Sequence, residues 1–325
     1  MQGGTAALKH ILKRLGLLSL PVLAWLAFFI AFEPNNYFGL KQQAGSSQPV
    51  ARVRAYDQHP GQNLILGDSR LAHFDMALVE ETSGVQWQNL AFGGASLKET
   101  LDLADYVLDS GHPVDRLLVE VSFYTLNESY NTDRFAALEE TLRNPLAYCL
   151  NLEYNVNALT VFMDTVKGTP DTIESGDWTD SDYLADDGTV LPLHRKLYDY
   201  PALIRPRCES WALNGSQLAR LEELAARCRD EGVELTVVLP PMAGNVTALC
   251  AEYGIDAAMG PVLDTLRGWA GEYGFALLDY EWGGSCIEND DTQFFDGFHL
   301  DEKYGLPDWT RQLFTELRGN DHANA

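Results

Sequence analysis

Three residues from two distant segments have the types and spacing of a nucleophile with its base. Ser69 follows the apolar residues 64–66 in a Gly67-Asp68-Ser69 turn, and Asp296 and His299 stand three residues apart near the other end of the sequence. A serine hydroxyl needs a neighbouring base to accept its proton and a third group to orient that base. A spacing of three puts both side chains on one side of a turn. We therefore predict Ser69 as the nucleophile, His299 as the base and Asp296 as its orienting partner.

Attack by a serine on a carbonyl carbon also requires donors for the negative charge that develops on the oxygen. The candidates are the backbone N–H of Ser69, at a helix N-terminus, and that of Gly94, which ends the segment Asn89-Leu90-Ala91-Phe92-Gly93-Gly94. Gly-Asp-Ser alone is most simply an ordinary turn, and only the joint placement of the segments favours catalysis. A metal site formed by Asp68, Asp296 and His299 remains an alternative, but it has no clear fourth ligand. No metal or cofactor is predicted.

Strand and helix patterns alternate along the sequence, and this predicts an α/β fold with a parallel sheet. The predicted strands are 63–66, 85–90, 117–121, 234–239 and 275–280, and the main helices between them are 71–82, 97–108, 214–229 and 260–273. This rhythm suits a three-layer, flavodoxin-like sheet, whose ligands bind at the carboxyl ends of the strands. Ser69, Gly94, Ser122, Pro240 and the loop after Tyr280 should all lie at that edge.

The regular pattern is interrupted between residues 122 and 210, where Asn, Tyr, Asp and Pro are frequent. We interpret this part, with short helices near 134–142 and 152–166, as an insertion or cap over the sheet. Its acidic run 177–187 lacks the spacing of a calcium loop and is interpreted as a solvated loop. The basic cluster 194–196, with Arg205 and Arg207, could meet an anionic substrate, but pairing with nearby carboxylates is the simpler interpretation.

The first 34 residues have the pattern of a membrane anchor. Lys9, Lys13 and Arg14 precede eighteen apolar residues, 15–32, which are enough to cross a bilayer. A cleaved signal peptide would have a shorter apolar region and a small-x-small cleavage site, and residues 29–33 offer none. The basic flank places the N-terminus in the cytoplasm. The sequence thus predicts a single-pass protein of the cytoplasmic membrane with a linker at 35–60 and a periplasmic or extracellular catalytic domain at 61–325.

The charge and cysteine content exclude some classes of partner and site. The chain has 47 acidic and 23 basic residues, a net charge of -24, which repels phosphate backbones and argues against nucleic acid as a partner. Its length and its 46% of hydrophobic residues suit one α/β domain with an insertion. The five cysteines form no Cys-x-x-Cys pair. An exported location permits one or two disulfides, and a buried thiol is an equally good interpretation of Cys228.

The segments singled out above resemble the sequence blocks of the SGNH (GDSL) hydrolase superfamily. Gly67-Asp68-Ser69 is similar to the first block, residues 89–94 to the second, and Asp296-Gly297-Phe298-His299-Leu300, followed by Gly305, to the last. The resemblance implies Ser69 as nucleophile, Asp296 and His299 as its partners, and Gly94 as an oxyanion donor.

The third block of that superfamily, usually Gly-x-Asn-Asp, is replaced here by Ser122-Phe123-Tyr124-Thr125. The asparagine that normally helps to bind the oxyanion is therefore absent. Ser122, Tyr124 or Asn127 could substitute for it, and Arg70 is a further candidate for contact with the substrate or the oxyanion.

The anchor and exported domain also resemble the membrane-bound SGNH-like proteins of alginate O-acetylation and teichoic-acid D-alanylation, which work beside membrane-bound O-acyltransferases. The resemblance implies a serine acyltransferase that O-acylates an exported envelope polysaccharide through an acyl-Ser69 intermediate, with a membrane-bound O-acyltransferase as partner. Two alternatives remain open. One is an exported lipid or carbohydrate esterase, and the other is a catalytically inactive binding or scaffold protein, which the missing asparagine would favour.

Overall fold

The computed structural model describes residues 2–41, 48–168, 194–283 and 293–323. The chain divides into two units, each of which combines separate segments. The first unit comprises Met1–Ser46 with Ala137–Ser175, and the second comprises Ser47–Ala136 with Gly176–Ala325. The acidic run 177–187 and Cys286 lie outside the described residues.

The second unit is built on a five-stranded parallel sheet. Its strands are β1 (Asn63–Leu66), β2 (Gln88–Asn89), β3 (Arg116–Glu120), β4 (Glu234–Leu239) and β5 (Ala276–Asp279). Their spatial order is β2-β1-β3-β4-β5, with all neighbours parallel. This is the flavodoxin-like order, in which the chain reverses direction across the sheet at β1 and β3. The predicted α/β fold class is confirmed.

Thirteen helices occur in the described part of the chain. They are α1 (Gln2–Phe32), α2 (Pro49–Gln58), α3 (Ser69–Ala72), α4 (Met76–Ser83), α5 (Leu97–Asp109), α6 (Phe135–Arg143), α7 (Pro145–Leu150), α8 (Leu152–Lys167), α9 (His194–Glu209), α10 (Gly215–Glu231), α11 (Gly244–Glu252), α12 (Ile255–Tyr273) and α13 (Gly305–Ala323). The helix predicted at 71–82 is interrupted: α3 ends at Ala72, and Asp75 begins α4 by accepting from the N–H groups of Ala77 and Leu78.

Helix α2 lies within the segment 35–60 that the sequence predicts as a linker. Val53 and Tyr56 are fully buried, and Val50 and Ala51 are nearly so. The Tyr56 hydroxyl donates to the Val107 carbonyl of α5. The linker interpretation therefore does not apply to residues 49–58, because their apolar side chains pack into the second unit.

The core on one face of the sheet positions the last helix. Ile65, Leu118 and Val238, from the three central strands, share a buried cluster with Trp309 and Phe314 of α13. Helix α13 begins at Gly305, where an added Cβ would lie 2.2 Å from the Gln293 carbonyl oxygen. Glycine is thus required where the chain turns from the His299 segment into α13.

The first unit joins α1 to α7 and α8. Phe28 of α1 packs edge-on against Phe162 of α8, and the Trp25 indole donates to the Asn155 side-chain oxygen at 2.8 Å. Within α1, Lys9–Phe32 is long and apolar enough to cross a membrane, and only a small share of its residues is buried. A core helix of a soluble protein would be mostly covered, whereas this helix leaves its apolar surface open.

The predicted insertion at 122–210 does not form one body. Residues 137–175 belong to the first unit with α1, whereas 122–136 and the described helix α9 belong to the second. The four described cysteines, Cys149, Cys208, Cys228 and Cys250, are free thiols and all are buried. Of the two interpretations of Cys228 that the sequence left open, the structure shows the buried thiol.

Candidate active site

The turn that carries Ser69 connects β1 to α3 and is shaped by its two preceding residues. A Cβ added at Gly67 would lie 2.6 Å from the Glu120 side chain of β3, so only glycine allows the strands this close. Asp68 is the N-cap of α3, and its side chain accepts from the Arg70 backbone N–H at 2.8 Å. Ser69 is consequently the first residue of the helix, at the carboxyl end of the sheet.

Ser69, His299 and Asp296 form one chain of hydrogen bonds. The Ser69 Oγ lies 2.8 Å from His299 Nε2, and His299 Nδ1 lies 2.8 Å from Asp296 Oδ2. Because the Asp296 carboxylate can only accept, Nδ1 carries the ring proton and the Nε2 lone pair faces the serine hydroxyl. The structure therefore brings together the three residues that the sequence singled out.

Asp296 also folds the loop that presents His299. Its Oδ1 accepts from the backbone N–H groups of Phe298 and His299, both at 2.8 Å, which leaves Oδ2 for the imidazole. Burial alone would raise the pKa of Asp296, but His299 and these donors outweigh it and hold the pKa below its ordinary value. The carboxylate thus remains ionised and keeps the ring in one orientation.

Gly94 lies in a loop whose carbonyl groups are held by Arg134. The guanidinium donates to the Gly93 carbonyl and, at 2.7 Å, to the Gly94 carbonyl, while Glu99 of α5 accepts from its Nε. Gly94 has a φ of 67°, a conformation that favours glycine. The Gly93 carbonyl and the Gly94 N–H belong to one peptide group, so fixing the carbonyl orients the N–H in the opposite direction.

The backbone N–H groups of Ser69 and Gly94 have no hydrogen-bond acceptor among the described residues. A developing oxyanion requires N–H donors that are not already engaged. The two predicted donors meet that requirement, and their role remains a prediction.

A buried ionic cluster lies behind the nucleophile turn, and sequence reasoning missed most of it. Arg70 contacts three carboxylates: Nη2 pairs with Asp68 at 3.2 Å and with Glu120, and Nη1 lies 3.8 Å from Glu281. Glu120 also accepts from the Asp68 backbone N–H at 2.7 Å. A glutamate at the end of the apolar strand β3 was the signal that could have revealed this cluster, because a buried carboxylate requires a partner.

The pKa directions in this cluster follow from one cation shared among three acids. Burial raises the pKa of Glu281 to about 8, although Arg70 opposes the rise. Burial also raises the pKa of Glu120 well above its ordinary value. Burial favours the neutral form of Asp68 as well, but Arg70 outweighs it and lowers the pKa. The Asp68–Arg70 pair is consequently the charged part of the cluster.

Three of the residues predicted to contact substrate are buried and hydrogen-bonded within the protein. Arg70 is 5% exposed and bound to carboxylates, and Ser122 is fully buried with its hydroxyl accepting from Arg70 at 2.7 Å. Asn127 is 1% exposed, and its amide donates to the Arg207 carbonyl. Their side chains satisfy internal partners instead, which corrects the expectation that they could bind substrate or oxyanion. Tyr124 stays half-buried at the surface.

An aromatic group surrounds the His299 loop. Tyr124 packs against Phe298, with ring centroids 5.1 Å apart, and against Tyr130, with centroids 4.5 Å apart. The guanidinium of Arg207 lies 5.0 Å from each tyrosine ring. Tyr130 is a residue that sequence reasoning did not single out, and its hydroxyl oxygen would lie 3.4 Å from a Cβ built on Gly94.

No group of three or more metal-ligating side chains occurs in the described ranges 2–41, 48–168, 194–283 and 293–323. The alternative metal site had required Asp68, Asp296 and His299. In the structure, Asp68 is engaged with Arg70, and Asp296 is engaged with His299.

No protein-family model and no curated protein matches this sequence. Among solved structures, the fold is similar to that of a protein from Desulfitobacterium hafniense DCB-2 assigned to the G-D-S-L family of lipolytic proteins, at 10% sequence identity and a TM-score of 0.37. The match covers 78% of this chain and 99% of that one.

Proposed function

We propose that this protein transfers acyl groups through Ser69, as an SGNH-type serine acyltransferase or esterase. The observation that carries the proposal is the Ser69–His299–Asp296 chain, with both links at 2.8 Å. The unpaired backbone N–H groups of Ser69 and Gly94 support the same chemistry.

The proposed reaction begins when the Ser69 Oγ attacks the carbonyl carbon of an acyl ester or thioester. The serine proton passes to His299 Nε2, and Asp296 stabilises the imidazolium that results. The N–H groups of Ser69 and Gly94 bind the oxyanion. Collapse of the tetrahedral intermediate breaks the bond to the leaving group, which takes the proton from His299, and leaves acyl-Ser69.

The second half of the reaction releases the acyl group to an acceptor. An acceptor hydroxyl gives its proton to His299 Nε2 and attacks the acyl-serine carbonyl, and the second collapse returns the proton to the Ser69 Oγ. A sugar hydroxyl as acceptor makes the protein an O-acyltransferase, and water makes it an esterase. We favour a polysaccharide acceptor outside the cytoplasm, because the membrane-spanning pattern of α1 and the sequence resemblance both suit envelope O-acylation with a membrane-bound O-acyltransferase as partner.

A fluorophosphonate probe tests the nucleophile. We expect covalent labelling of Ser69 in the detergent-solubilised full chain, no labelling of Ser69→Ala, and strongly reduced labelling of His299→Ala. Folded protein that fails to react would refute the proposal and favour an inactive binding or scaffold role.

A second measurement separates transfer from hydrolysis. The full chain is incubated with p-nitrophenyl acetate, with and without an oligosaccharide acceptor, and the acetylated sugar and free acetate are both quantified. Transfer predicts sugar ester at the expense of acetate. Acetate release that is unaffected by any acceptor would identify an esterase.

A further inference from the structure

Helix α8 exposes apolar side chains where a helix on a water-exposed surface would expose polar ones. Its exposed stripe is apolar, with Leu152, Val156, Leu159, Met163 and Val166 between 42% and 78% exposed. Two of its polar residues point inward: Asp164 is buried, and half-buried Asn155 accepts from the Trp25 indole. Its exposed polar residues, Glu153, Thr165 and Lys167, lie in the first and last turns. In water the exposed face would be polar, whereas in hydrocarbon the polar groups must be satisfied inside the protein.

The same apolar surface continues on α7, where Leu146 and Leu150 are each about 70% exposed. We call these seven residues the α7–α8 apolar surface. A contiguous exposed apolar patch of this kind marks contact with a membrane or a partner protein.

The contacts with α1 place this surface along the candidate membrane span. Helix α8 packs on α1 between Trp25 and Phe32, which are the last residues of the span Lys9–Phe32. At 1.5 Å per residue, this part covers about the last 10 Å of the span. If α1 crosses the bilayer with its N-terminus in the cytoplasm, α8 lies at the depth of the outer leaflet.

Aromatic packing and a hydrogen bond also join the end of α1 to α7 within the first unit. Tyr148 of α7 stacks on Tyr37 with ring centroids 4.0 Å apart, and its hydroxyl donates to Glu33 at 2.5 Å. Helix α1 is therefore part of a folded unit with α7 and α8, as expected for a retained anchor.

We infer that the α7–α8 apolar surface is embedded in the acyl chains of the outer leaflet, so that the membrane anchor is a three-helix unit. The inference rests on α1 spanning the membrane and is independent of the proposed acyl transfer. Lipid is the occupant that the observations favour, because the surface continues the bare apolar surface of α1, where Leu18, Leu20 and Leu23 are also more than half exposed.

Labelling with a hydrophobic diazirine that partitions into the bilayer tests this inference. The full chain is photolysed in phosphatidylcholine liposomes, with glutathione in the buffer to scavenge reagent in water, and the modified residues are mapped by mass spectrometry. Leu20 of α1 is the positive reference, and fully buried Ala158 of α8 is the matched negative reference. We expect labelling of Val156, Leu159 and Met163 comparable to that of Leu20 and well above that of Ala158, since the exposed side chains would all be in contact with lipid.

Two results would overturn the inference. Labelling confined to α1 in liposomes would show that α8 faces water. Labelling of α8 in liposomes that disappears in native membranes, while Leu20 stays labelled, would show that a partner protein covers the surface in the cell. Ser69→Ala protein should give the same labelling pattern as the unaltered chain, which separates this test from that of the proposed function.

A separate observation concerns the oxyanion donor that the third sequence block lacks. The Tyr130 hydroxyl is near Gly94, as described above, and among the described residues it has no hydrogen-bond partner. Its position is fixed by the ring contact with Tyr124, by Arg207, and by a backbone hydrogen bond from the Tyr130 N–H to the Asn127 carbonyl at 2.8 Å. The Tyr130 hydroxyl is thus a positioned donor without an acceptor beside Gly94.

The electrostatics keep this hydroxyl a donor. Burial raises the pKa of Tyr130, and the negative charge of Asp68 raises it further. The phenol accordingly stays protonated at neutral pH.

We propose that the Tyr130 hydroxyl donates the third hydrogen bond to the oxyanion, beside the N–H groups of Ser69 and Gly94. This assignment rests on the proposed function, and it replaces Ser122 and Asn127, whose side chains are committed elsewhere.

The substitution Tyr130→Phe tests the assignment, since it keeps the ring contacts and removes only the hydroxyl. With p-nitrophenyl acetate we expect kcat to fall about a hundredfold with little change in KM, as for loss of one oxyanion donor. The control Tyr106→Phe removes a hydroxyl that binds Asp57 on α2, and it should retain the kcat of the unaltered chain.

Unchanged kcat in Tyr130→Phe, or a loss confined to Tyr124→Phe, would overturn the assignment. If Ser69→Ala still abolishes turnover in the same assay, the failure concerns Tyr130 alone. Turnover that persists in Ser69→Ala would instead refute the proposed function.

Discussion

Replacement of Arg70 by glutamine should destabilise the protein strongly, and more so at high pH. Arg70 is the only cation in contact with Asp68, Glu120 and Glu281 in the described structure, and all four side chains are buried. Removing one partner of a buried ion pair costs about 3–5 kcal/mol, because the remaining charge has no compensation. For a unit of this size that corresponds to a fall in Tm on the order of 10 °C.

The pH dependence follows from the protonation of the carboxylates. Without Arg70 the pKa values of Glu120 and Glu281 rise further above those of the unfolded chain, and the pKa of Asp68 is no longer held below its ordinary value. The folded state then needs bound protons. Each carboxyl group that must stay neutral then lowers the free energy of unfolding by about 1.4 kcal/mol for every pH unit above its ordinary pKa. We expect Arg70→Gln to lose clearly more stability at pH 8 than at pH 5, relative to the unaltered chain.

Thermal unfolding of the detergent-solubilised full chain at both pH values measures this effect. Arg220→Gln is the matched control, since Arg220 pairs with Asp102 and Asp105 at 2.8 and 2.9 Å but is partly exposed. Such a pair contributes about 0–1 kcal/mol, so the control should shift Tm little at either pH. An Arg70→Gln loss no larger than that of the control, or equal at pH 5 and pH 8, would refute the ionic account of this cluster.

Three further predictions concern the site. Asp296→Asn should lower kcat about 10³–10⁴-fold with the fold intact by circular dichroism, because His299 loses the partner that fixes its tautomer; activity within tenfold, about 1.4 kcal/mol, would contradict this. Gly94→Ala and Gly232→Ala should each cost about 1–2 kcal/mol in thermal unfolding, since φ is 67° and 75°, but only Gly94→Ala should also lose activity. Glu281→Gln should flatten the pH dependence of stability. The raised pKa of Glu281, about 8, contributes stability that is complete below the ordinary pKa of a glutamate and is lost as pH rises through 8. An unchanged dependence of Tm on pH between pH 5 and pH 9 would count against this prediction.

The sheet and the geometry of the candidate catalytic residues could be predicted because their signals are local. Buried parallel strands are continuous apolar runs, as in β4 and β1, and each ends in a turn residue at the same edge of the sheet. The Asp296–His299 spacing is likewise a property of one short loop. The sequence therefore predicted the flavodoxin-like sheet. It also predicted that Ser69 and His299 lie close together, although they are 230 residues apart in the sequence.

Other features depend on partners that no local pattern reveals. Arg52 and Arg54 give residues 49–58 the pattern of a solvated segment. Val53, which lies between them, and Tyr56, which follows, are nevertheless fully buried. Glu120 and Glu281 are buried with Arg70 as their shared cation, and neither carboxylate's burial could be read from its own strand. The division of residues 122–210 between two units depends on the pairing of α8 with α1, which lies 130 residues away in sequence.

Helix α2 determines where a fragment that keeps the candidate site intact can begin. Arg52 donates to the Asn89 side chain at 2.9 Å, to the Ala72 carbonyl at 2.6 Å and to the Ala91 carbonyl. It thereby ties the end of the nucleophile helix to the loop that leads to Gly94. A fragment starting at residue 61, where the strand pattern begins, would lose these three hydrogen bonds and keep only those that the Asn89 side chain makes to Leu71, Ala72 and Ala91. Recombinant or proteolytic trimming from the N-terminal side should therefore stop before Gln48 if catalytic competence is to be kept.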